Sequence, residues 1–183
     1  MPELPEVETL RRELINKIRG RVIKNIEVDA VKLINVPLKV LNQTIKNKKI
    51  KSVSRRAKVL ILELANGFYL LIHLKLTGQL VLGDSPTKFT RIIFNFTDGR
   101  KLFFNDLRKF GWLKLLNQKQ MEKELAGYGV EPLSQEFTLA KFKEILNKRK
   151  KAKIKPVLLD QKSIAGIGNI YADESCFYAK IKP

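Results

Sequence analysis

The sequence predicts an α+β fold, with an N-terminal helix, a β-sandwich or flattened barrel, and then a helical segment. Three observations carry this expectation. Val7, Leu10, Leu14 and Ile18 recur at helical spacing near the start. Residues 21–115 hold many short apolar segments separated by turn signals. From Thr138 the apolar period becomes helical again, through Leu139, Phe142, Ile145 and Leu146.

Each element has a local reason. Pro5 suits the first turn of a helix, where its missing N–H would have no intrahelical partner. Glu6 and Glu8 lie near the positive end of that helix dipole, and Gly20 offers a stop. Strands are expected at 22–28, 50–54, 58–64, 68–74, 80–82, 90–96 and 101–105. Ala65-Asn66-Gly67 and Thr97-Asp98-Gly99 carry the signals of tight hairpins. Residues 117–134 read as a connector with a short helix, broken by Gly127, Gly129 and Pro132. Another helix is expected from Pro156, and a last one after Gly166-Ile167-Gly168 with Asn169 as its N-cap. The expected division is an N-terminal domain at 1–116, a linker at 117–135 and a helical domain at 136–183.

Composition narrows the function. The 183 residues include 36 Lys and Arg against 18 Asp and Glu, a formal net charge of +18. Such a surface points to a polyanion, nucleic acid first. A hydrophobic content of 44% excludes a wholly disordered chain. No apolar run approaches the roughly 20 residues of a transmembrane helix, so no membrane partner is expected. Glu3, Glu6 and Glu8, with no apolar stretch beside them, do not read as a signal peptide. One cysteine, Cys176, excludes an intramolecular disulfide and fits a reducing compartment. With a single histidine, His73, beside it, a closed zinc site in this chain is excluded too. The last helix carries Ile170, Tyr171, Cys176, Phe177, Tyr178 and Ile181 on more than one side, so further helices are expected to partner it.

The first residues can carry chemistry. A small second residue, Pro2, permits removal of Met1. The product is a secondary amine, and an α-amino group titrates at roughly 7.7–8.0 against about 10.4 for lysine. Amines add to carbonyl carbons to give Schiff bases. Glu3 stands beside the amine to take and give protons, and Glu6 lies one turn further on. An ordinary start with a helix-initiating proline and dipole-satisfying acids reads the same way.

The whole opening string MPELPEVETL decides between these. Further blocks follow it in order: Arg55-Arg56-Ala57-Lys58 before an apolar strand, Asn105-Asp106-Leu107-Arg108-Lys109-Phe110-Gly111, Gly129-Val130-Glu131-Pro132-Leu133-Ser134, Ile154-Lys155-Pro156, and Gly166-Ile167-Gly168-Asn169-Ile170-Tyr171-Ala172-Asp173-Glu174. Together they resemble the formamidopyrimidine-DNA glycosylase family over essentially the whole chain. Leu4 stands where the sister endonuclease VIII branch has glycine, which favours the oxidised-purine branch.

The resemblance implies a base-excision-repair enzyme. It would remove 8-oxoguanine and formamidopyrimidines from double-stranded DNA and cut the abasic site by β,δ-elimination. Pro2 would be the nucleophile and Schiff-base former, Glu3 the general acid/base and Glu6 its support. Lys58, at a hairpin tip, would contact phosphates at the lesion, and Lys155 would lie near the damaged base. His73 and Asn169 would bind the DNA backbone. Leu76, Arg108 and Phe110 would fill the gap left by the flipped nucleotide, as flat or apolar wedges and a guanidinium can do. Leu107 replaces the family's proline, and Lys109 its second arginine, at a DNA-binding position. The helical half would be an incomplete helix-two-turn-helix. The family continues into a zinc finger with one structural zinc, so this chain is expected to be truncated or incomplete and to hold no cofactor. A monomer acting on double-stranded DNA in the bacterial cytoplasm, at the nucleoid, is implied. The alternative is an inactive damaged-DNA-binding fragment.

Overall fold

Helix α1 (Leu4–Ile18) begins where the sequence places it, with Pro5 in its first turn. The computed structural model describes residues 1–183. Val7, Leu14 and Ile18 are buried along one stripe of α1, and Gly20 follows its end.

Eight strands follow: β1 (Val22–Val28), β2 (Lys48–Arg56), β3 (Val59–Leu64), β4 (Phe68–His73), β5 (Gly78–Gly83), β6 (Thr90–Phe96), β7 (Lys101–Asp106) and β8 (Trp112–Asn117). Their order is β5-β7-β6-β1-β2-β3-β4-β8, with every neighbouring pair antiparallel. β1 and β2 share only two pairs, Val22↔Lys49 and Ile23↔Lys48. The sheet therefore parts there into two four-stranded halves. One core receives Ile23, Phe94, Phe96 and Phe104 from the first half and Leu60, Leu62, Leu70 and Ile72 from the second. That shared core makes the arrangement a sandwich, as the density of short strands predicts.

Besides a short 3₁₀ turn at Val31–Leu33, two elements were not foreseen. Helix α2 (Leu38–Ile45) crosses a stretch expected to be strand-rich, and it buries Leu41 and Ile45 in the sandwich core. Its eight residues are too few for their apolar period to stand out. β8 follows Gly111 with no turn signal to announce it. Its edge position comes from pairing in full register with β4, from Phe68↔Asn117 to His73↔Trp112.

The chain divides into two compact units, Met1–Glu122 and Lys123–Pro183. Helix α3 (Gln118–Leu125) spans the division and buries no residue. The second unit contains α4 (Leu139–Lys148), α5 (Ile154–Leu159) and α6 (Asn169–Tyr178). Thr138 caps α4, its hydroxyl accepting from the Lys141 N–H at 3.1 Å. α5 starts two residues before Pro156, which sits in its first turn. Asn169 is not the N-cap of α6. Gly168 holds that place with φ −126° and ψ −163°, and Asn169 is already helical. Ile145, Val157, Leu158, Ile164, Ala172 and Cys176 form this unit's own small core. Ile170, Phe177, Tyr178 and Ile181 are exposed.

Candidate active site and nucleic-acid interface

The N-terminus of α1 is held by a capping box. The Glu6 carboxylate accepts the Glu3 N–H at 2.8 Å, and the Glu3 carboxylate accepts from the Glu6 backbone. Glu3 is only 1% exposed, while Pro2 before it is half-buried. The residue that follows the candidate nucleophile is thus fixed through both side chain and backbone.

The β2–β3 hairpin docks beside this helix. The pair Arg56↔Val59 leaves a two-residue turn, Ala57-Lys58, with Ala57 at φ 51°. The Arg55 guanidinium donates to Glu8 Oε2 at 3.1 Å and to the Ala57 carbonyl at 2.8 Å. Arg55 therefore ties the turn to α1. Hydrogen bonding from Arg11 above all, aided by Arg12 and Arg55 against the opposing effect of burial, holds the Glu8 carboxyl at about 2.

The sequence places Lys58 at the hairpin tip, and it is there, but its side chain is not spread into solvent. Lys58 is 7% exposed. Burial pushes its ammonium below the usual lysine range; Glu3 opposes this, Lys75 adds to it, and Glu6 opposes it more weakly. Glu3, Glu6, Lys58 and Lys75 thus form one electrostatic cluster. His73 belongs to it as well. It ends β4, paired with Val59 on one side and Trp112 on the other. Its ring packs tilted against Trp112 at 5.4 Å. Burial first, then Lys75 and Lys58, holds the imidazole at about 3, so it is neutral at pH 7. The Lys75 N–H donates to Nδ1 at 2.9 Å, which leaves the ring proton on Nε2 as a donor. Lys75 was missed in the sequence. Nothing local marks it except its place two residues after His73.

A second group gathers at the same end of the strands, just beyond the paired residues His73 and Trp112. Leu76 lies in the β4–β5 loop, and Leu107, Arg108, Lys109 and Phe110 in the β7–β8 loop. The Arg108 guanidinium stands over the Phe110 ring, 4.9 Å from its centroid. Leu76, Leu107 and Phe110 are exposed apolar side chains. Asp106, 1% exposed, joins the loops. Its Oδ1 accepts from the Thr77 hydroxyl at 2.5 Å and its Oδ2 from the Gly111 N–H at 2.8 Å. The Arg108 N–H is shared between Asp106 Oδ1 at 3.2 Å and Thr77 Oγ1 at 3.1 Å. Leu76 and Leu107 accordingly line one surface pocket of about 430 Å³. Thr77 has no signal in the sequence that could have found it.

In the second unit, Lys155 of α5 pairs with Asp173 of α6 at 2.6 Å. Asn169 is exposed in the first turn of α6. Gln161 pins the loop before it: its Oε1 accepts from the Gly166 N–H at 2.9 Å, and its Nε2 donates to the Leu159 and Ile167 carbonyls at 3.0 and 2.7 Å. That amide helps to set the glycine-rich approach to Asn169, together with the Ala165 N–H, which donates to the Val130 carbonyl at 2.9 Å.

The formamidopyrimidine-DNA glycosylase N-terminal domain matches residues 1–113, and the formamidopyrimidine-DNA glycosylase H2TH domain matches residues 128–183. The chain belongs to the formamidopyrimidine-DNA glycosylase family. The formamidopyrimidine-DNA glycosylase of Pelotomaculum thermopropionicum is 46% identical over 189 residues, covering 100% of this chain and 68% of the relative. That of Lactiplantibacillus plantarum is 43% identical with the same coverage. Crystal structures agree. Lactococcus lactis Fpg non-covalently bound to DNA containing an abasic site superposes with a TM-score of 0.90 at 37% identity, covering 99% of this chain and 71% of that one. Its complex with DNA containing N7-benzyl-Fapy-dG gives 0.91 at 38% identity, covering 100% and 69%.

The family's N-terminal domain therefore contains Pro2, Glu3, Glu6, Lys58, His73, Leu76, Arg108, Lys109 and Phe110, and its H2TH domain contains Lys155 and Asn169. The structural zinc that the resemblance implies finds no ligand set among these residues. Cys176 is buried in the second unit's apolar core, and no three His, Cys, Asp or Glu side chains cluster as ligands. No helix is long and apolar enough to cross a membrane.

Proposed function

We propose that this chain removes oxidised purines, 8-oxoguanine and formamidopyrimidines, from double-stranded DNA and cleaves the resulting abasic site. The observation that carries this reading is the cluster at the start of α1. There buried Glu3, fixed directly after Pro2, shares its electrostatic surroundings with buried Lys58.

With Met1 removed, the Pro2 nitrogen attacks C1′ of the damaged nucleotide. The C1′–N bond breaks, and its electron pair leaves with the base, which takes up a proton. The sugar ring opens to an iminium between Pro2 and C1′. Loss of the C2′ proton expels the 3′ phosphate. A second elimination expels the 5′ phosphate, and water releases Pro2 from the sugar fragment. Glu3 is the carboxylate beside the amine that takes and returns protons. Glu6 holds Glu3 in place. Lys58, Lys75 and the Nε2 proton of His73 supply the positive field and donors for phosphates flanking the lesion. Leu76 and the Arg108–Phe110 pair fill the vacated stack, Lys109 adds a backbone charge, and Lys155 and Asn169 act from the second unit. The amine and carboxylates need no cofactor for these steps. One copy acts on one duplex, in the cytoplasm at the nucleoid.

Borohydride trapping on a duplex with one abasic site tests the reading. Met1-free protein, confirmed by mass, is expected to give a covalent protein–DNA band that is lost when Met1 is retained. Folded, Met1-free protein that binds the duplex but gives no band refutes the enzyme and leaves a DNA-binding chain without turnover.

A further inference from the structure

The two loops that carry the exposed wedges have rigid, buried roots. Thr77 directly follows Leu76, and Gly111 directly follows Phe110. Both neighbours are fastened to the same carboxylate, Asp106, at 2.5 and 2.8 Å, and the Arg108 N–H bridges Asp106 and Thr77. Asp106 is itself held: its N–H donates to the Phe89 carbonyl at 2.9 Å, and its carbonyl accepts from Arg91 Nε at 3.0 Å. The roots leave no slack. A Cβ on Gly78 would lie 2.4 Å from the Leu74 carbonyl oxygen, and one on Gly111 would lie 2.4 Å from Phe104 Cζ.

Pushing a side chain into a base stack requires a backing that does not retreat, because unstacking opposes it. Two independent loops would each meet that resistance alone. A shared buried anchor transmits the seating of one wedge to the other. We propose that Thr77 and Asp106 are positioning residues that couple Leu76 to the Arg108–Phe110 pair, so that the wedges enter the duplex as one unit. This rests on the gap-filling role given to those wedges above.

The test uses the full, Met1-free chain and a duplex carrying a tetrahydrofuran abasic analogue opposite 2-aminopurine, so insertion is read as a fluorescence change without catalysis. Thr77→Val replaces the hydroxyl by a methyl group and so removes its bonds to Asp106 and from the Arg108 N–H. It is expected to slow the insertion phase by about tenfold, as loss of the part-buried hydrogen bond to Asp106 together with the one from the Arg108 N–H would. Thr77→Ser is expected to restore it to within about twofold by returning that hydroxyl. In a Leu76→Ala background, Thr77→Val is expected to add much less than it does alone, because one of the two coupled wedges is already gone. A wild-type rate for Thr77→Val, its full slowing on top of Leu76→Ala, or no insertion signal from saturating wild type overturns the coupling. Excision from an 8-oxoguanine duplex is measured alongside. Insertion that obeys the pattern without excision refutes the proposed function and leaves the coupling standing.

Discussion

The Glu6 carboxylate accepts the backbone N–H of Glu3 at 2.8 Å, so the side chain proposed to support the candidate active site is also the N3 half of the α1 capping box. The two roles separate by substitution. Glu6→Gln keeps an acceptor and is expected to retain the helix. Glu6→Ala removes it and should cost about 1 kcal/mol in urea unfolding. Because Glu3 then loses its anchor, Schiff-base trapping should fall further in Glu6→Ala than in Glu6→Gln. Equal trapping in the two variants would show that Glu6 acts by charge alone.

His73 makes the N-terminal unit sensitive to acid. Burial holds its imidazole at about 3 against an ordinary 6.5. Between those values the unfolded chain binds the proton and the folded chain does not, so stability falls as pH drops through 6.5 and is unaffected above it. At pH 4.5 the loss should reach roughly 2–3 kcal/mol. The fluorescence of Trp112, the single tryptophan, reports unfolding of this unit. His73→Gln should lower stability at pH 7.5 but flatten this part of the pH profile. Parallel profiles for the two proteins would be the contrary result.

Gly111 has no space for a side chain, with Phe104 Cζ at 2.4 Å from an added Cβ and the His73 carbonyl oxygen at 3.0 Å. Gly111→Ala should therefore destabilise the N-terminal unit by about 1–3 kcal/mol, as overpacking does. Thermal unfolding checks it. A wild-type midpoint would mean that the Phe104 ring moves aside freely.

Lys155 is engaged by Asp173, which is about half exposed. Breaking so exposed a pair should change stability by less than about 1 kcal/mol. It should also release Lys155 for phosphate. Asp173→Asn is thus expected to steepen the dependence of DNA affinity on salt by up to about 0.9 in log–log slope. An unchanged slope would place Lys155 away from the DNA backbone.

Local patterns carried much of this protein. The strands at 22–28 and 90–96 coincide with β1 and β6, because alternation and turn residues act between near neighbours. Pro2, Glu3 and Glu6 stood out because they are consecutive or one turn apart, whereas Arg108 and Phe110 were singled out only by the family block that carries them, and their stacking came from the structure. α2 and β8 were not legible, since their places come from burial in a distant core and from pairing with β4.

The sequence by itself determined the family blocks, the helix–sandwich–helix order, and which side chains could do chemistry at the N-terminus. Tertiary structure alone decided how those side chains are held. Thr77 meets Asp106 across 29 residues and Arg55 meets Glu8 across 47, so neither contact leaves a periodic trace. The burial of Lys58 beside Glu3, the neutral state of His73 and the joining of the wedge loops all depend on strand register and on α1 docking against the hairpin. Those are set by the sum of many long-range contacts, which no short window of sequence contains.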